Sequence, residues 1–358
     1  MTADPIRFGV LGTGRITRRL IADLQSLDSV RVTAIASRTA DRAIWHADQY
    51  GVPTGVTGYQ ALLQRDDVDA VYIALPPSLH HEWMMAAAAA GKHVLCEKPL
   101  AVSGQQAAEM AAACDSAGVA WLDAAAWLHH DRTTAFRRWL DDREDNLDRQ
   151  RMPESPESAK RWRLGELKHV SAAVSFLNPF QSDDHRLHRS LGGGCLLDLG
   201  WYAAGAVRFA TERLPAEVHA MSCERGDVPH RVTAMLRYQD DVTATVSCGF
   251  DTATRKWFEI AGAEASIVCD DFTRPWADKP SRCWVHEASG QVHGESFECH
   301  QERQMIQTLV DSIRNDDPAR LKPFQTQSLE TQLILDAMET SIRQRQSVSL
   351  VPPVGAPT

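Results

Sequence analysis

Two pairs of residues in this sequence have types and a spacing that could do chemistry. Glu97 and Lys98 stand side by side, directly before Pro99. Asp198 and Tyr202 lie four residues apart, behind three consecutive glycines, which should let a ligand or cofactor approach the preceding backbone. Residues four apart share one face of a helix, so the carboxylate and the phenol should point the same way. A lysine, a tyrosine and carboxylates can together take up, deliver and orient a proton.

A glycine motif near the start of the chain could hold a phosphate. It consists of Gly12, Thr13, Gly14, Arg15 and Ile16. The apolar run Ile6–Leu11 precedes it and a helical pattern follows, and this order favours a nucleotide site over an ordinary glycine turn. Glycines allow a tight turn and a close approach, and the helix N-terminus presents free N–H groups to a pyrophosphate. Thr17 stands where such motifs have a third Gly or Ala, so we expect looser packing between helix and strand.

The end of the second strand indicates which dinucleotide binds. A site for NAD would normally carry Asp or Glu here to hold the ribose 2′-hydroxyl, but this chain has Ser37 and Arg38, with Arg42 one turn later. A hydroxyl and two guanidinium groups suit a 2′-phosphate. The alternative is an exposed arginine without a ligand. We therefore predict NADP(H) as the preferred cofactor, with NAD(H) as a possible second one.

The elements that carry these residues form two regions. Between residues 6 and 125, short apolar runs alternate with helical segments, which predicts an α/β domain with a parallel sheet and helices on both faces. The expected strands are Ile6–Leu11, Val30–Ala36, Val68–Leu75, His93–Cys96 and Val119–Leu122, and the expected helices include Leu79–Ala90 and Ser103–Ala117.

Later in the chain the pattern changes to strand-like runs joined by short polar or glycine-bearing turns, which predicts an α+β domain with a large, mostly antiparallel sheet. The expected strands are His169–Leu177, Glu217–Cys223, Arg231–Tyr238, Val242–Phe250, Trp257–Ile260 and Cys283–His286, and helices are expected at 299–314 and 326–345. We place the domains at 1–125 and 126–358, with 141–160 as an exposed insertion because it is charged and poor in apolar residues.

Composition excludes several classes of protein. The 358 residues carry a net charge of -9, which argues against binding to nucleic acid. Residues 1–45 differ from the acidic average of the chain and carry a positive charge. They contain seven arginines, four aspartates and no lysine or glutamate. The eight scattered cysteines and the absence of a signal segment or a long apolar stretch predict a cytoplasmic protein with no membrane contact. The fourteen histidines show no zinc spacing, so we expect no metal.

Taken together, the sequence resembles the Gfo/Idh/MocA family, the glucose-fructose oxidoreductase and inositol dehydrogenase group of sugar-active NAD(P) enzymes. The resemblance spans nearly the whole chain. It rests on the glycine motif at 12–16, on Glu97-Lys98-Pro99, and on the segment from Leu191 to Tyr202. It implies a Rossmann domain, with a doubly wound parallel sheet, followed by an α+β domain with an open sheet. Inositol dehydrogenases have histidine at the position of Tyr202. A tyrosine there makes this sequence similar to the glucose-fructose oxidoreductase, xylose dehydrogenase and dihydrodiol dehydrogenase branch.

The resemblance also implies roles. In the family the lysine of the Glu-Lys-Pro triplet serves in proton transfer and the glutamate lies near the cofactor, which corresponds to Lys98 and Glu97. Asp198 and Tyr202 match its Asp-x-x-x-His/Tyr pair. Alcohol oxidation sends a hydride to the nicotinamide and needs a base for the hydroxyl proton, and reduction needs an acid. We expect Tyr202 and Lys98 to handle that proton, Asp198 to orient them, and Glu97 to place Lys98 or the cofactor ribose. Glu97 and Lys98 are therefore also expected cofactor contacts.

Other positions are assigned from the same comparison. Leu75, Pro76 and His80 follow a strand and should line the cofactor, although a plain turn is the alternative. His130, Arg186, Asp198 and Tyr202 are the expected substrate contacts. For His130 and Arg186 the alternative is that both are ordinary polar residues. Leu128 stands where the family often shows an arginine, which changes the usual substrate contacts in that region.

Three functions are compatible with these motifs. The first is an NADP-dependent oxidoreductase acting on a sugar, polyol or diol. The second is a sensor or repressor that binds nucleotide without turnover, and the third is an NAD-assisted glycosidase of the same fold. An uncovered sheet face would expose apolar area, so we also expect a homodimer or homotetramer through the second domain.

Overall fold

The computed structural model describes residues 4–141, 162–177, 180–275 and 280–350, and two β-sheets dominate it. The first sheet has six parallel strands in the order β3-β2-β1-β4-β5-β6, the arrangement of a dinucleotide-binding Rossmann fold. Its strands are β1 (Ile6–Leu11), β2 (Val30–Ser37), β3 (Thr54–Thr57), β4 (Ala70–Ile73), β5 (His93–Cys96) and β6 (Trp121–Asp123). The predicted doubly wound sheet is confirmed, and β3 is a strand that the sequence analysis missed.

Helices connect these strands. They are α1 (Thr17–Gln25), α2 (Ala40–Tyr50), α3 (Tyr59–Leu63), α4 (His80–Ala89) and α5 (Gly104–Ala117). All four residues of β4 are buried, because a central parallel strand is covered on both faces. Helix α5 shows how local sequence sets the ends: the Ser103 side chain accepts a hydrogen bond from the Gln106 backbone N–H, and Gly118 ends the helix in the left-handed conformation.

The second sheet has nine strands in the order β14-β13-β12-β11-β7-β10-β9-β8-β15. Every recorded pairing in it is antiparallel except that of β10 with β7. Its strands are β7 (Leu167–Ser175), β8 (Glu217–Arg225), β9 (Val228–Arg237), β10 (Thr243–Gly249), β11 (Arg255–Gly262), β12 (Ala265–Cys269), β13 (Ser281–Glu287), β14 (Val292–Phe297) and β15 (Val348–Ser349). The mostly antiparallel sheet is confirmed, with β12, β14 and β15 as additional strands.

Four further α-helices lie in the described part of the chain. They are α6 (Asp131–Asp141), α7 (Trp201–Thr211), α8 (Gln301–Arg314) and α9 (Lys322–Gln344). Helix α7 packs on β7 and β10, and all its residues except Tyr202 are buried. In the ranges described above, no helix is both long enough and apolar enough to cross a membrane.

The chain packs as two compact units. The first comprises Met1–His129, Ser182–Gly193 and His300–Leu333, and the second comprises His130–Gln181, Gly194–Cys299 and Ile334–Thr358. A division of the sequence at 125/126 assigns 182–193 and 300–333 to the second domain, whereas their contacts group them with the first sheet. The predicted insertion 141–160 lies, after its first residue, outside the described residues.

Helix α8 shows why a late segment belongs to the first unit. Met305, Ile306, Leu309 and Val310 form one apolar face of this helix and are completely buried. They join the core that also contains side chains of β1, β2 and α1. The apolar face of α8 is thus covered by the core of the first unit.

Candidate active site

The glycine loop follows β1, at the carboxyl edge of the parallel sheet. Gly12 has φ of +109°, and a β-carbon at this position would lie 2.4 Å from the Ala74 carbonyl oxygen. Any side chain at this position would therefore clash with backbone atoms. The positive φ would also be unfavourable for a residue other than glycine. Its N–H donates to the Ala36 carbonyl at 3.1 Å, which fixes the loop to β2. The loop then enters α1 at Thr17, so the free N–H groups of that helix lie beside it.

Thr17, the departure from the usual glycine motif, is accommodated by a hydrogen bond. Its side chain is completely buried, and Oγ1 donates to the Gly14 carbonyl at 2.6 Å. A hydroxyl that is satisfied in this way costs little to bury. The larger residue closes the turn and holds Gly14 in place.

A cleft of about 560 Å³ opens beside this loop, within the size range of small-molecule sites. Ten of the predicted cofactor residues line it: Gly12, Thr13, Gly14, Arg15, Ile16, Ser37, Arg38, Arg42, Leu75 and Pro76. The sequence analysis missed Thr39, Tyr59, Ala74 and His185, which complete the lining together with Arg186. Three other predicted cofactor residues, His80, Glu97 and Lys98, are not part of this lining.

The cleft is cationic. Arg15, Arg38, Arg42 and Arg186 line it, and no aspartate or glutamate is among the lining residues. Within the described ranges, Arg38 forms no ion pair with a carboxylate. Arg42 donates from Nε to the Thr13 hydroxyl and from Nη2 to the Thr13 carbonyl. A dinucleotide with an extra phosphate fits this lining, because the loop leaves room for the pyrophosphate and the guanidinium groups supply charge.

Arg186 lies in the first unit, on the wall of this same cleft. Asp184 holds it in place, since one carboxylate oxygen accepts from the Arg186 backbone N–H at 3.0 Å and from Nη1 at 3.2 Å. The sequence analysis assigned Arg186 to the substrate. In the structure it lines the cleft together with the glycine loop, Leu75 and Pro76.

His80 is completely buried and bridges two loops. Nε2 lies 2.8 Å from the Leu75 carbonyl oxygen and Nδ1 lies 2.9 Å from that of Pro99. Burial lowers the pKa of this imidazole, and the bonded carbonyl groups oppose that shift. His80 therefore connects the loop that lines the cleft to the loop that follows Lys98.

Glu97 and Lys98 follow β5, at the same carboxyl edge as the glycine loop. The Tyr72 hydroxyl donates to Oε1 of Glu97 at 2.6 Å, and the Lys98 backbone N–H donates to Oε2 at 3.2 Å. The Glu97 N–H donates to the Ile73 carbonyl at 2.9 Å, which continues the β4–β5 ladder to the triplet. The Lys98–Pro99 peptide bond is cis. Tyr72, which the sequence analysis missed, thus orients Glu97 from the neighbouring strand.

Asp198 and Tyr202 lie in the second unit, where the chain enters α7. Asp198 is buried within a π-helical turn, Leu196–Gly200, and Tyr202 is half-buried in the first turn of α7. An ordinary helical turn was expected here. In a π-turn, residues four apart are slightly less than one turn apart, so the two positions still share a face.

The three glycines before Asp198 have a different role from the one predicted. We expected them to let a ligand approach, but each is packed against protein atoms. A β-carbon on Gly192 would lie 2.8 Å from the Pro77 side chain, and one on Gly194 would lie 2.8 Å from Pro229. One on Gly193 would lie 2.6 to 2.8 Å from three backbone carbonyl oxygens of residues 185–188. The glycines therefore allow close packing of this segment within each unit.

His130, which is also a predicted substrate contact, is completely buried in the second unit. Its Nδ1 accepts a hydrogen bond from the Arg132 backbone N–H at 3.0 Å. Burial, together with the Arg132 charge, lowers its pKa to about 4, so the ring is neutral near pH 7. This is the environment of an interior histidine.

Comparisons with known proteins agree with this architecture. The family model "Oxidoreductase family, NAD-binding Rossmann fold" matches residues 6–123, and the "GFO/IDH/MocA C-terminal domain" matches residues 159–268. The chain is 34% identical to D-xylose 1-dehydrogenase (NADP(+)) 2 of Haloferax volcanii over 73% of this chain and 74% of that protein. It is 32% identical to a dTDP-3,4-didehydro-2,6-dideoxy-alpha-D-glucose 3-reductase of Actinomadura kijaniata over 95% and 97% of the two chains.

Solved structures give the same result. The crystal structure of a 3-ketoreductase from Actinomadura kijaniata, in complex with NADP and TDP-benzene, superimposes with a TM-score of 0.83 at 29% identity. The match covers 94% of this chain and 98% of that one. Variants of that enzyme in which one lysine or one tyrosine is replaced match as well. This chain belongs to the GFO/IDH/MocA family of oxidoreductases.

Proposed function

We propose that this protein is an NADP-dependent oxidoreductase that transfers a hydride between the nicotinamide and a hydroxyl or carbonyl carbon of a sugar or related polyol. The observation that carries the proposal is the cationic cleft at the glycine loop, whose described lining residues include four arginines and no aspartate or glutamate. The named relatives support the substrate class, because they act on xylose and on a dTDP-linked keto-sugar.

The residues proposed to hold the cofactor follow from the cleft. The glycine loop and the start of α1 would receive the pyrophosphate, and Arg38 and Arg42 would receive the 2′-phosphate. Arg186, in the segment 182–193, would add a further positive charge to the cleft. We therefore propose it as a cofactor contact. His80 would act through the Leu75 and Pro99 carbonyl groups that it bridges.

The chemistry divides between cofactor and protein. A bound NADP(H) would supply the hydride donor or acceptor. We propose that Lys98 and Tyr202 take up or deliver the hydroxyl proton and that Asp198 orients them. Glu97, held by the Tyr72 hydroxyl, would fix the triplet that carries Lys98. His130 would support the second unit from its interior.

The two regions would divide the work accordingly. We propose residues 1–125 as the dinucleotide-binding domain and 126–358 as the region that contributes substrate contacts and subunit contacts. The segments 182–193 and 300–333 complete the nucleotide unit by packing. The eight free thiols support a reducing, cytoplasmic location.

The outward face of the nine-stranded sheet would join subunits into a homodimer or homotetramer. Met221, Met235 and Trp257 are 66%, 65% and 54% exposed on this face. In register, Met221 lies beside Thr233, Met235 lies between His219 and Thr245, and Trp257 lies beside Ala173. Large apolar groups that are exposed on one sheet face favour association. In light scattering, Trp257→Glu should lower the oligomeric mass, whereas Trp45→Glu, an exposed tryptophan on α2, should not; equal masses would contradict the proposal.

The experiment for the reaction follows absorbance at 340 nm. Purified protein is mixed with NADP+ or NADPH and a panel of aldoses, polyols, diols and dTDP-linked keto-sugars. We expect a net absorbance change with at least one sugar. Binding of cofactor without any change across the panel would favour a sensor. Release of sugar from an aryl glycoside without net change in the cofactor would favour a glycosidase.

A further inference from the structure

Tyr59 lies in the wall of the cleft. It is the first residue of α3, directly after Gly58, which has φ of +86°. The Gly58 N–H donates to the Ser37 carbonyl at 2.8 Å. This bond ties the start of α3 to the end of β2, the strand end that leads into Arg38. Tyr59 therefore lines the cleft beside Arg38 and Arg42.

The ring of Tyr59 is held by an aromatic neighbour. The Trp83 ring on α4 meets it edge to face, with ring centroids 5.0 Å apart and an interplanar angle of 78°. Such an edge-to-face pair favours this orientation of the ring. The residue is half-buried, so protein atoms cover part of its surface.

Two electrostatic effects act on the phenol. Burial raises the pKa of Tyr59, while the charges of Arg38 and Arg42 act in the opposite direction. The net shift is upward, so the hydroxyl keeps its proton near neutral pH and can donate it in a hydrogen bond. In the described part of the chain, that hydroxyl hydrogen-bonds to no other residue.

We infer that the Tyr59 hydroxyl is a third donor to the 2′-phosphate of NADP(H), next to the guanidinium groups of Arg38 and Arg42. The inference rests on the proposed function, since it names a residue that would make the site selective for the phosphorylated dinucleotide. A phosphate oxygen accepts a much stronger hydrogen bond from a phenol than a ribose hydroxyl does, because the acceptor is charged. Tyr59 should thus contribute to the preference for NADP(H) over NAD(H).

The test uses direct binding, without turnover. Dissociation constants of NADPH and NADH are measured by nicotinamide fluorescence, and those of 2′,5′-ADP and 5′-AMP by calorimetry. Tyr59→Phe removes only the hydroxyl, and Tyr50→Phe, at the end of α2, is the matched control because Tyr50 does not line the cleft. Tyr59→Phe should raise the dissociation constants of NADPH and 2′,5′-ADP about tenfold, which is the effect of losing one hydrogen bond to a charged group. The dissociation constants of NADH and 5′-AMP should change less than about twofold. In the control variant the dissociation constant of every ligand should also change less than about twofold.

The other outcomes separate this inference from the proposed function. An equal loss for NADPH and NADH, or no loss for either, would overturn the role of the hydroxyl. If Arg38→Ala abolishes the preference for NADPH while Tyr59→Phe keeps it, the cofactor assignment stands and only this inference fails. A wild-type protein that binds NADH as tightly as NADPH would overturn both.

Discussion

Arg42 is anchored to Thr13 by two hydrogen bonds, from Nε to the hydroxyl at 2.6 Å and from Nη2 to the carbonyl at 3.1 Å. This contact joins helix α2 to the glycine loop after β1. It places a positive charge at the loop and restrains the loop in the same step. The planar, forked guanidinium can do both, whereas a lysine ammonium is a point charge.

Arg42→Ala should therefore weaken the binding of NADPH more than that of NADH. The difference should be about tenfold, because the substitution removes a charged contact to the phosphate. Arg42→Lys should recover only part of the affinity, since it cannot keep both bonds to Thr13. Fluorescence titration with the two cofactors measures the effect. Arg31→Ala, at an exposed position of β2, is the control and should change neither constant. Equal affinities in wild type and Arg42→Ala would disprove the role of Arg42.

Lys98→Ala should lower kcat by about 10²- to 10⁴-fold, the usual contribution of a general acid or base. The Kd for NADPH should change much less, so binding and turnover separate. Steady-state rates at saturating cofactor, combined with fluorescence titration, show the split. Lys168→Ala, an exposed lysine paired with Glu166, should behave as wild type. Near-wild-type turnover in Lys98→Ala would remove Lys98 from the mechanism.

Gly192→Ala tests the packing role of the glycines before Asp198. The new methyl group would lie 2.8 Å from Pro77 and the backbone has φ of +78°, so we expect a loss of about 1–3 kcal/mol in unfolding free energy. Gly118→Ala has a similar φ of +64° with open space around it, and it isolates the conformational cost. Urea unfolding should show the larger loss for Gly192→Ala. Equal losses would show that contact with Pro77 is unimportant.

His129 should make stability depend on pH. Its ring is stacked on Phe324 with centroids 4.2 Å apart, and burial lowers its pKa to about 3, against about 6.5 in the unfolded chain. The unfolded state alone therefore binds the proton between these values. Protonation of His129 in the unfolded state therefore does not lower the free energy of unfolding well above pH 6.5. As the pH falls below 6.5, the free energy of unfolding decreases, by about 2 kcal/mol at pH 5.

His129→Phe keeps the stacked ring and cannot titrate. Its unfolding free energy should fall less between pH 7.5 and pH 5 than that of the wild type, in urea titrations at both pH values. The exchange also removes the hydrogen bond to Thr308, so the difference between the two pH values is the relevant quantity. His286→Phe, on an exposed position of β13, should keep the wild-type difference. An unchanged difference in His129→Phe would contradict the assignment.

Much of the first sheet was predictable because its strands are apolar runs bounded by clear breaks. The ranges Ile6–Leu11 and His93–Cys96 are the observed β1 and β5. Strand β14 was missed because most of its residues are exposed and polar, and it carries no alternating apolar pattern. The return of α8 to the first unit was not predictable either, since an amphipathic face does not state which core covers it.

The same limit applies to the cleft. Its glycine loop and arginines carry local signals, namely a motif and its position after a strand. Tyr59 carries none, because its place depends on a hydrogen bond between Gly58 and Ser37, residues that are far apart in sequence. The three glycines before Asp198 were assigned to ligand approach because sequence cannot distinguish a ligand from a neighbouring loop.

The central claim is that this chain transfers a hydride between NADP(H) and a sugar. The most direct measurement uses NADPH deuterated at C4, each C4 epimer in turn, with the carbonyl sugar that is turned over in the panel. The product is then analysed by mass spectrometry. We predict one deuterium on the new alcohol carbon with one epimer and none with the other. A reduced product without deuterium from either epimer would contradict the account.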